Sequence, residues 1–311
     1  MTRPLTLSLP GNGTFAARLN EELCGELGEI ETRRFPDSET YLRLLSEVAG
    51  RDVVLVCTLD RPDAKLPSLI FAADAARELG ARSVGLVAPY LAYMRQDRRF
   101  QSGEAVTSRS FARLLSGSLH WLATADPHLH RYTSLDEIYR VTTRVVHAAK
   151  LIADWIRGNV DRPLLIGPDT ESEQWVAEVA AGAGAPYVVC SKQRLGDRNV
   201  RIELPDLIPF QGRQPVLVDD IASSARTLCG TARQLIDSGW PRPVCIVVHP
   251  LFAEGAFEAL RGVSSHIVST DTIGHQSNAI SMASPLAASI RGFFKEREAL
   301  ASPDIAFSQP S

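Results

Sequence analysis

Short apolar runs alternate along the chain with longer segments whose apolar residues recur every three or four positions. The runs predict buried strands, and the helical spacing predicts amphipathic helices between them. Strands are expected at 5–9, 53–56, 84–87, 121–124, 164–166, 188–190, 200–204, 216–218, 244–248 and 266–269. Helices are expected after the GNG at 11–13, at 66–79, 106–115, 147–156 and 254–261, and from about Leu228.

Two helix starts are predicted from their capping residues. Thr170 and Glu173 have the spacing of a capping box at the start of the helix that follows 164–166. Ser284 is expected to cap the last helix, with Pro285 as its first residue.

This alternation predicts an α/β fold with mostly parallel sheets flanked by helices. A weak internal repeat relates RDVVLVCTL and SVGLVAPY to QPVLVDDI and VCIVVHP. Each pair spans about 30 residues from strand to strand, as expected for one βαβ unit. We therefore predict two similar domains at 1–146 and 147–285, followed by a C-terminal helix and a disordered tail at 286–311.

Composition narrows the class of protein. The chain has 311 residues, of which 45% are hydrophobic, and a net charge of −3. It can therefore build an ample core, and it lacks the basic excess expected if nucleic acid were its main partner. Its five cysteines form no CxxC pair and indicate reduced thiols. With no signal-peptide core and no run of roughly 18 apolar residues, we expect a cytoplasmic protein without a membrane span.

The stretch PVLVDDIASSARTL at 215–228 joins a strand, two carboxylates, a loop of small residues and a helix start. The loop's N–H groups and hydroxyls, with the positive end of the helix dipole, can hold a phosphate. The carboxylates can accept hydrogen bonds from sugar hydroxyls and help to hold a metal ion. A sugar phosphate carries both groups, whereas the alternative is a polar turn with a helix cap. The candidate residues are Asp219, Asp220, Ser223, Ser224, Ala225, Arg226 and Thr227.

Further polar clusters follow other predicted strands, at the sheet edge where α/β proteins bind ligands. His128 can bind a metal ion or a phosphate oxygen, or it is an exposed loop histidine. Asp169 can help to hold Mg²⁺ through water, or it lies beside a helix cap. Lys192 and Arg194 alternate along an extended stretch, so both can face a charged phosphoryl group, or they are surface charges.

Two more features stand near predicted strands. A basic run of Arg95, Gln96, Arg98 and Arg99 follows an aromatic pair, and it forms either part of a site or a solvated face. Phe35 is either a core aromatic or a platform on which a base can stack.

Taken together, these motifs resemble the ribose-phosphate diphosphokinase family over about residues 5–295. The matching pieces appear in the family's order: RFPDSE at 34–39, PYLAYMRQDRRF at 89–100, DPH at 126–128, GPDTESEQWV at 167–176, SKQR at 191–194 and VDDIASSART at 218–227. The resemblance implies two type I phosphoribosyltransferase-like domains. It also implies a reaction in which the C1 hydroxyl of ribose 5-phosphate attacks the β-phosphorus of MgATP and AMP leaves.

The resemblance assigns the second half of the chain to ribose 5-phosphate. It implies that Asp219 and Asp220 hold the ribose hydroxyls and that residues 223–227 hold the 5-phosphate. Lys192 and Arg194 would be the catalytic pair that closes over the transferring diphosphoryl group.

For the nucleotide, the resemblance implies a homo-oligomer, a dimer or a hexamer, with the adenine site shared between subunits. Mg²⁺ would bind at His128 and Asp169. The residues implied for ATP are Phe35, Asp37, Glu39, Arg95, Gln96, Asp97, Arg98 and His128.

The sequence departs from the family's usual pattern in three places, and two other functions stay open. Ser223 and Arg226 in the phosphate loop, the residues after Asp169, and the flanks of His128 indicate a divergent branch. The alternatives are a non-catalytic regulatory paralogue and a phosphoribosyltransferase, although the latter usually has one such domain. The whole interpretation requires Asp220 and His128 to face one another across one cleft.

Overall fold

The computed structural model describes residues 3–194 and 200–301, without the side chains of 171, 192–194, 200–202, 300 and 301. The elements of the first half are β1 (Leu5–Ser8), α1 (Gly13–Leu23), β2 (Glu26–Gly28), β3 (Ile30–Arg34), β4 (Thr40–Leu44), β5 (Asp52–Val56), α2 (Pro62–Glu78), β6 (Ser83–Ala88), α3 (Thr107–Ser118), β7 (Trp121–Ala125) and β8 (Thr142–Val146). Those of the second half are α4 (Ala149–Asn159), β9 (Pro163–Gly167), α5 (Glu173–Ala183), β10 (Tyr187–Val189), β11 (Ser191–Arg194), β12 (Val200–Glu203), β13 (Gln214–Ile221), α6 (Arg226–Asp237), β14 (Val244–His249), α7 (Ala256–Arg261), β15 (His266–Thr270), β16 (Asn278–Ile280) and α8 (Ala283–Ala301).

Two six-stranded parallel sheets have the same strand order. The first is β2-β1-β5-β6-β7-β8 and the second is β10-β9-β13-β14-β15-β16. Two antiparallel hairpins, β3–β4 and β11–β12, stand apart from them. The predicted fold of two similar α/β halves with mostly parallel sheets is confirmed. The domain boundaries remain a prediction.

The central strands are buried along their whole length. Every residue of β5, β6 and β7 is buried, because helices cover both faces of a parallel sheet. Gly85 makes room for the Trp121 indole in the neighbouring strand, since a Cβ there would lie 1.8 Å from the ring. Because these central strands are buried on both faces, their sequences are continuous apolar runs, and this is why the strands could be predicted.

The strand order places the polar ends of two strands side by side. In the second sheet the chain runs from β9 out to β10 and then returns to β13 on the other side of β9. Such a reversal opens a crevice at the carboxyl ends of the two strands. Asp169 follows β9, and Asp219 and Asp220 lie at the end of β13, so this crevice receives all three carboxylates.

The last helix returns to the first half of the chain. Helix α8 packs against α1, β7 and β8. The rings of Phe293 and Phe294 lie 5.4 and 5.8 Å from the Trp121 ring. Arg297 donates to buried Asp52 at 2.5 Å, which adds an ion pair to this apolar contact.

The structure corrects several element predictions. Strands β2, β3 and β8 were not predicted, because their edge positions leave side chains largely exposed and without apolar runs. The capping-box prediction is wrong: Asp169, not Thr170, accepts the N–H of Ser172 at 3.2 Å in a 3₁₀ turn before α5, which has no side-chain cap.

The prediction for the start of the last helix is also wrong. It begins at Ala283, whose N–H is accepted by the Ser281 hydroxyl at 3.3 Å, and Pro285 is its third residue. Ser284 therefore lies inside the helix rather than at its cap. The predicted tail at 302–311 lies outside the described residues. Across the described part of the chain, none of the helices has the length and apolarity needed to span a bilayer.

Candidate active site

The two halves meet where the ends of β7 and β13 face each other. His128 Nδ1 lies 2.8 Å from Asp220 Oδ2, across a sequence separation of 92 residues. Both side chains are partly open to solvent, with 22% of the His128 side chain and 37% of the Asp220 side chain exposed. The requirement that these two residues share one cleft is therefore met.

The loop carrying His128 is anchored by Asp126, the residue that follows β7. Asp126 has a left-handed backbone, with φ at 33°. Its carboxylate accepts the Ala148 N–H at 2.7 Å and lies 2.8 Å from His147 Nδ1. These bonds tie the loop to the start of α4. Further along the same loop, the ring centres of His128 and His130 lie 3.9 Å apart.

The two carboxylates of β13 have opposite protonation tendencies. Burial raises the pKa of Asp219 well above its usual value, and the charges of Asp220 and Asp169 add to this effect. Burial also opposes ionisation of Asp220, but the hydrogen bond and charge of His128 outweigh it and lower the pKa of Asp220 to about 2. At neutral pH Asp220 is therefore a fixed negative charge, and Asp219 retains a tendency to hold a proton.

The loop after β13 ends at a helix start that has no side-chain cap. Ala225 adopts the left-handed conformation with φ at 53° and leads into α6, which begins at Arg226. The loop is fixed by backbone bonds from Ala222 N–H to His249 O at 3.1 Å and from Ala253 N–H to Ser223 O at 2.9 Å. Because the first N–H groups of a helix have no partner within it, they can donate hydrogen bonds to a bound anion.

His249 joins the two loops, and the sequence analysis did not assign it. It ends β14 and is 1% exposed. Its Nε2 lies 3.1 Å from the carbonyl oxygen of Asp126, and its Nδ1 lies 2.9 Å from the Thr272 hydroxyl. Burial lowers its pKa, so the ring is neutral with the proton on Nε2, the only nitrogen facing a pure acceptor. The sequence signal that could have identified His249 is its position at the end of an apolar strand, similar to that of His128.

The residues of the basic run after β6 lie in different environments. The charge of Arg95 lowers the pKa of Tyr90 and of His249, although burial is the larger influence on both. The side chain of Asp97 is 2% exposed, and both of its oxygens accept from Arg131, at 3.1 and 3.2 Å. Asp97 therefore holds the loop in place, and Arg131 is a partner that the sequence analysis missed.

The neighbouring side chains of this run are more peripheral. The Gln96 side-chain oxygen accepts from the Thr107 hydroxyl at 3.4 Å. The Arg98 guanidinium lies 4.8 Å from the centre of the Phe100 ring, which is exposed.

Phe35 lies at the tip of the β3–β4 hairpin. It is 39% exposed, and the Arg33 guanidinium lies 4.6 Å from its ring centre. The turn is closed by the Phe35 N–H to Glu39 O bond at 2.8 Å and by the Glu39 N–H to Asp37 Oδ1 bond at 3.1 Å. Among the described residues, this turn makes no hydrogen bond to His128 or Asp220.

Lys192 and Arg194 lie in strand β11, which pairs with β12. Their side chains, on which the predicted catalytic role depends, lie outside the described residues.

Comparison with known proteins shows the family. The model for the N-terminal domain of ribose phosphate pyrophosphokinase matches residues 5–118, and the phosphoribosyl transferase domain model matches 134–257. A ribose-phosphate pyrophosphokinase from Methanopyrus kandleri is 35% identical over 276 residues, or 88% of this chain and 94% of the relative. The chain belongs to the ribose-phosphate pyrophosphokinase family.

Other ribose-phosphate pyrophosphokinases agree. The protein of that name from Saccharolobus solfataricus is 33% identical over 261 residues, covering 82% of this chain and 88% of the relative. The crystal structure of phosphoribosylpyrophosphate synthetase from Mycobacterium smegmatis superposes with a TM-score of 0.83, covering 94% of this chain and all of the other, at 20% identity. That likeness shows the shared fold. The predicted family and enzyme class are confirmed.

Within this pyrophosphokinase framework, the predicted site residues fall into three groups. His128, Asp220, Asp219 and Asp169 lie at the cleft, the loop 223–227 follows Asp220 in the chain, and Phe35, Asp37 and Glu39 share the turn of the β3–β4 hairpin. Their individual roles remain predictions.

The donor atoms at the cleft also differ from the predicted metal set. One ligand atom each from His128, His130 and Asp220 lie within 4.8 Å of one another, and within the described residues this is the only group of three such donors. Asp169, which the resemblance pairs with His128, caps the 3₁₀ turn with one carboxylate oxygen, and its metal role stays a prediction. Its carboxylate and that of Asp220 are oxygen donors suited to Mg²⁺, whereas two imidazoles are not its usual ligands.

Proposed function

We propose that this protein transfers the β,γ-diphosphoryl group of MgATP to the C1 hydroxyl of ribose 5-phosphate. The products are 5-phospho-α-ribose 1-diphosphate and AMP. The bond from the C1 oxygen to the β-phosphorus forms, the bond from that phosphorus to the oxygen bridging it to the α-phosphorus breaks, and the hydroxyl proton goes to solvent. The observation that carries the proposal is the 2.8 Å contact between His128 and Asp220, which joins the nucleotide loop to the ribose-phosphate loop.

The second half of the chain binds ribose 5-phosphate in this proposal. The charged carboxylate of Asp220 accepts hydrogen bonds from the ribose hydroxyls, and Asp219, with its raised pKa, can also donate one. The 5-phosphate sits on the N–H groups and hydroxyls of residues 223–227, at the positive end of α6. This orients the C1 hydroxyl toward the centre of the cleft.

The nucleotide binds against the first half. Arg95 supplies positive charge at the edge of the cleft, and Lys192 and Arg194 close over the diphosphoryl group. Chemistry of this type depends on positioning and charge neutralisation more than on a strong base. Mg²⁺ arrives with the nucleotide and neutralises phosphate charge, and the oxygens of Asp169 and Asp220 are suited to hold it.

The exposed hairpin tip supports a shared adenine site. Phe35 carries an open aromatic face at the end of a rigid two-stranded arm, with Asp37 and Glu39 in the same turn. We propose a homo-oligomer in which this arm reaches the adenine of a neighbouring subunit. Size determination in solution tests this part, and a monomer that is fully active would contradict it.

The function is tested with purified protein, Mg²⁺, ATP and ribose 5-phosphate, measuring AMP. The expected result is AMP formation that requires the sugar phosphate. If AMP does not rise above a blank without ribose 5-phosphate, the catalytic proposal fails. The non-catalytic regulatory paralogue then becomes the better function.

Arg226 is the residue that could favour that alternative. It is exposed and occupies the first position of α6, beside the proposed phosphate. If Arg226 blocks the phosphate, the variant Arg226→Gly gains AMP formation that the unaltered protein lacks.

A further inference from the structure

We propose that a cavity beside the last helix binds a small organic anion, in which a carboxylate or a phosphate monoester is attached to an apolar body. The cavity lies between α8 and the amino ends of β1, β5 and β6, and its volume is about 210 Å³. The candidate active site lies at the carboxyl ends of the strands, so the two sites are at opposite ends of the first sheet. The proposal does not rest on the proposed function.

One side of α8 forms a wall of the cavity. Arg291, Phe294, Lys295 and Glu298 all line it. They occupy positions i, i+3, i+4 and i+7 of the helix, so they lie along one face. A single helical stripe therefore brings two cations, an aromatic ring and a carboxylate to the same cavity.

The charged side chains around the cavity leave an excess of positive charge. Four cations and two carboxylates line it, which is a formal net charge of +2. One of these carboxylates, Asp52, accepts from Arg82 and from Arg297. The other, Glu298, lies near enough to Arg82 for its charge to act on that guanidinium. Both carboxylates are therefore engaged with Arg82, which leaves the other three cations for a ligand.

Those three cations keep hydrogen-bond donors for an anion. Among the described residues, the side chains of Arg3 and Lys295 form no hydrogen bond or ion pair. Arg291 donates to a backbone carbonyl at the end of α1, and its guanidinium has further N–H groups. The charge of Arg3 also acts on Glu26, but that carboxylate is already paired with Arg51 at 2.9 Å.

The buried side of the cavity is apolar. Leu23 is 5% exposed, and the Phe294 ring lies 5.8 Å from the Trp121 ring, whereas Arg3 and Lys295 are exposed at the rim. A volume of about 210 Å³ equals roughly seven waters of about 30 Å³ each, which is room for one aromatic ring or branched chain. Such a body buries apolar surface, while its acidic group forms charge-assisted hydrogen bonds at the rim.

The bound anion contacts the end of α1, the start of β1 and α8 at the same time. It therefore fastens the last helix to the first half of the chain, in addition to the aromatic contact with Trp121. Because it binds the folded chain, it also raises the free energy of unfolding.

Protection of a cysteine measures occupancy of the cavity directly. Cys24 lines the cavity and is exposed, whereas the other four cysteines are buried. The full chain, without nucleotide, is treated with the neutral reagent iodoacetamide, and peptide mass spectrometry follows the alkylation of Cys24. Benzoate tests the carboxylate and phenyl phosphate tests the phosphate monoester, at constant ionic strength. Benzamide lacks the charge, and acetate and inorganic phosphate lack the apolar body.

At least one of the two aromatic anions is expected to slow the alkylation to a saturating limit. Half-protection should need at least about tenfold less of it than of benzamide, acetate or inorganic phosphate, because only the aromatic anion uses both the apolar wall and the cationic rim. Ribose 5-phosphate should leave the protection unchanged, because the cleft lies at the other end of the sheet.

Substitutions at the rim identify the cations that hold the acidic group. Lys295→Gln and Arg3→Gln should each raise the half-protecting concentration about 2–5-fold, the range for exposed charge pairs, and the double variant about tenfold. Both side chains are exposed, so the fold is kept. The control is Lys150→Gln, an exposed lysine on α4, and it should leave the half-protecting concentration unchanged.

The proposal is overturned if neither aromatic anion protects Cys24 at lower concentration than benzamide does. It is also overturned if the double variant behaves like Lys150→Gln, since the rim cations then do not hold the anion. The measurement uses no nucleotide and no turnover, so failure of this site and failure of AMP formation are distinguished.

Discussion

The loops after β5 and β13 occupy equivalent places in two sheets of the same strand order, but their backbones are used differently. In the first loop, Thr58 N–H donates to Asn12 at 2.7 Å, its hydroxyl donates to Thr272 O at 2.5 Å, and its carbonyl accepts from Lys65 at 2.9 Å. The following helix starts with proline at its first position. The polar groups of Thr58 in this loop are therefore used in hydrogen bonds within the protein.

The second loop differs, because the start of the helix that follows it is predicted to hold a ligand. It has two carboxylates before it, small residues within it, and a helix start without a side-chain cap. The comparison predicts that the first loop has a structural role and the second a role in the reaction. Substitutions in the two loops test this prediction.

The largest effect is expected from the carboxylates of the two loops. Asp220→Asn removes the fixed charge at the cleft and should lower kcat/KM for ribose 5-phosphate by about 10²–10³-fold, the usual loss for one electrostatic partner. The control is Asp60→Asn in the first loop, where the carboxylate pairs with Lys65. It should leave kcat/KM within a few-fold, and equal losses in both variants would refute the division of roles.

A smaller loss is expected when the link between the loops is cut. His249→Leu removes the hydrogen bonds to the Asp126 carbonyl and the Thr272 hydroxyl and should lower kcat by about 10–100-fold, as for groups that orient a site. His249→Gln keeps an N–H donor and should recover part of the loss. If stability falls in both variants while kcat is unchanged, His249 has no positioning role.

The two halves should also differ in which substrate they affect. Phe35→Ala removes an aromatic contact worth about 0.5–1.5 kcal/mol, so KM for ATP should rise several-fold while KM for ribose 5-phosphate stays constant. Phe71→Ala is the control, because Phe71 is a similarly exposed aromatic, at 46%, on α2. An unchanged KM for ATP in Phe35→Ala would remove base stacking at this residue.

The smallest effect concerns backbone strain in the second loop. A non-glycine residue in the left-handed region costs about 1–2 kcal/mol. Ala225→Gly should therefore raise the free energy of unfolding by roughly 1 kcal/mol, less the greater entropy of glycine in the unfolded chain. Ala222→Gly in the same loop should lower it, since Ala222 has no positive φ. Denaturant unfolding of both variants measures the difference.

The sequence predicted the central strands because burial on both faces leaves continuous apolar runs, as at 53–56 and 244–248. It also predicted the His128–Asp220 pairing, because the carboxyl ends of parallel strands gather ligand-binding groups. Edge strands such as β8 were missed, since half-exposed strands carry no such run.

Contacts between segments that are far apart in the sequence could not be predicted. The sequence shows no reason for Asp97 to pair with Arg131, or for His249 to reach Asp126, because both links join distant segments. For Asp169 the sequence left both metal binding and a position beside a helix cap open; the structure shows a cap, and the metal role stays a prediction.

The packing of α8 on the first sheet has a consequence for synthesis. Trp121 is 1% exposed, and the rings of Phe293 and Phe294 supply part of its cover. Protein domains generally begin to fold from the amino terminus while the ribosome is still working. Here the nascent first half cannot complete this apolar contact until α8 has been synthesised, and until then part of the Trp121 indole stays uncovered.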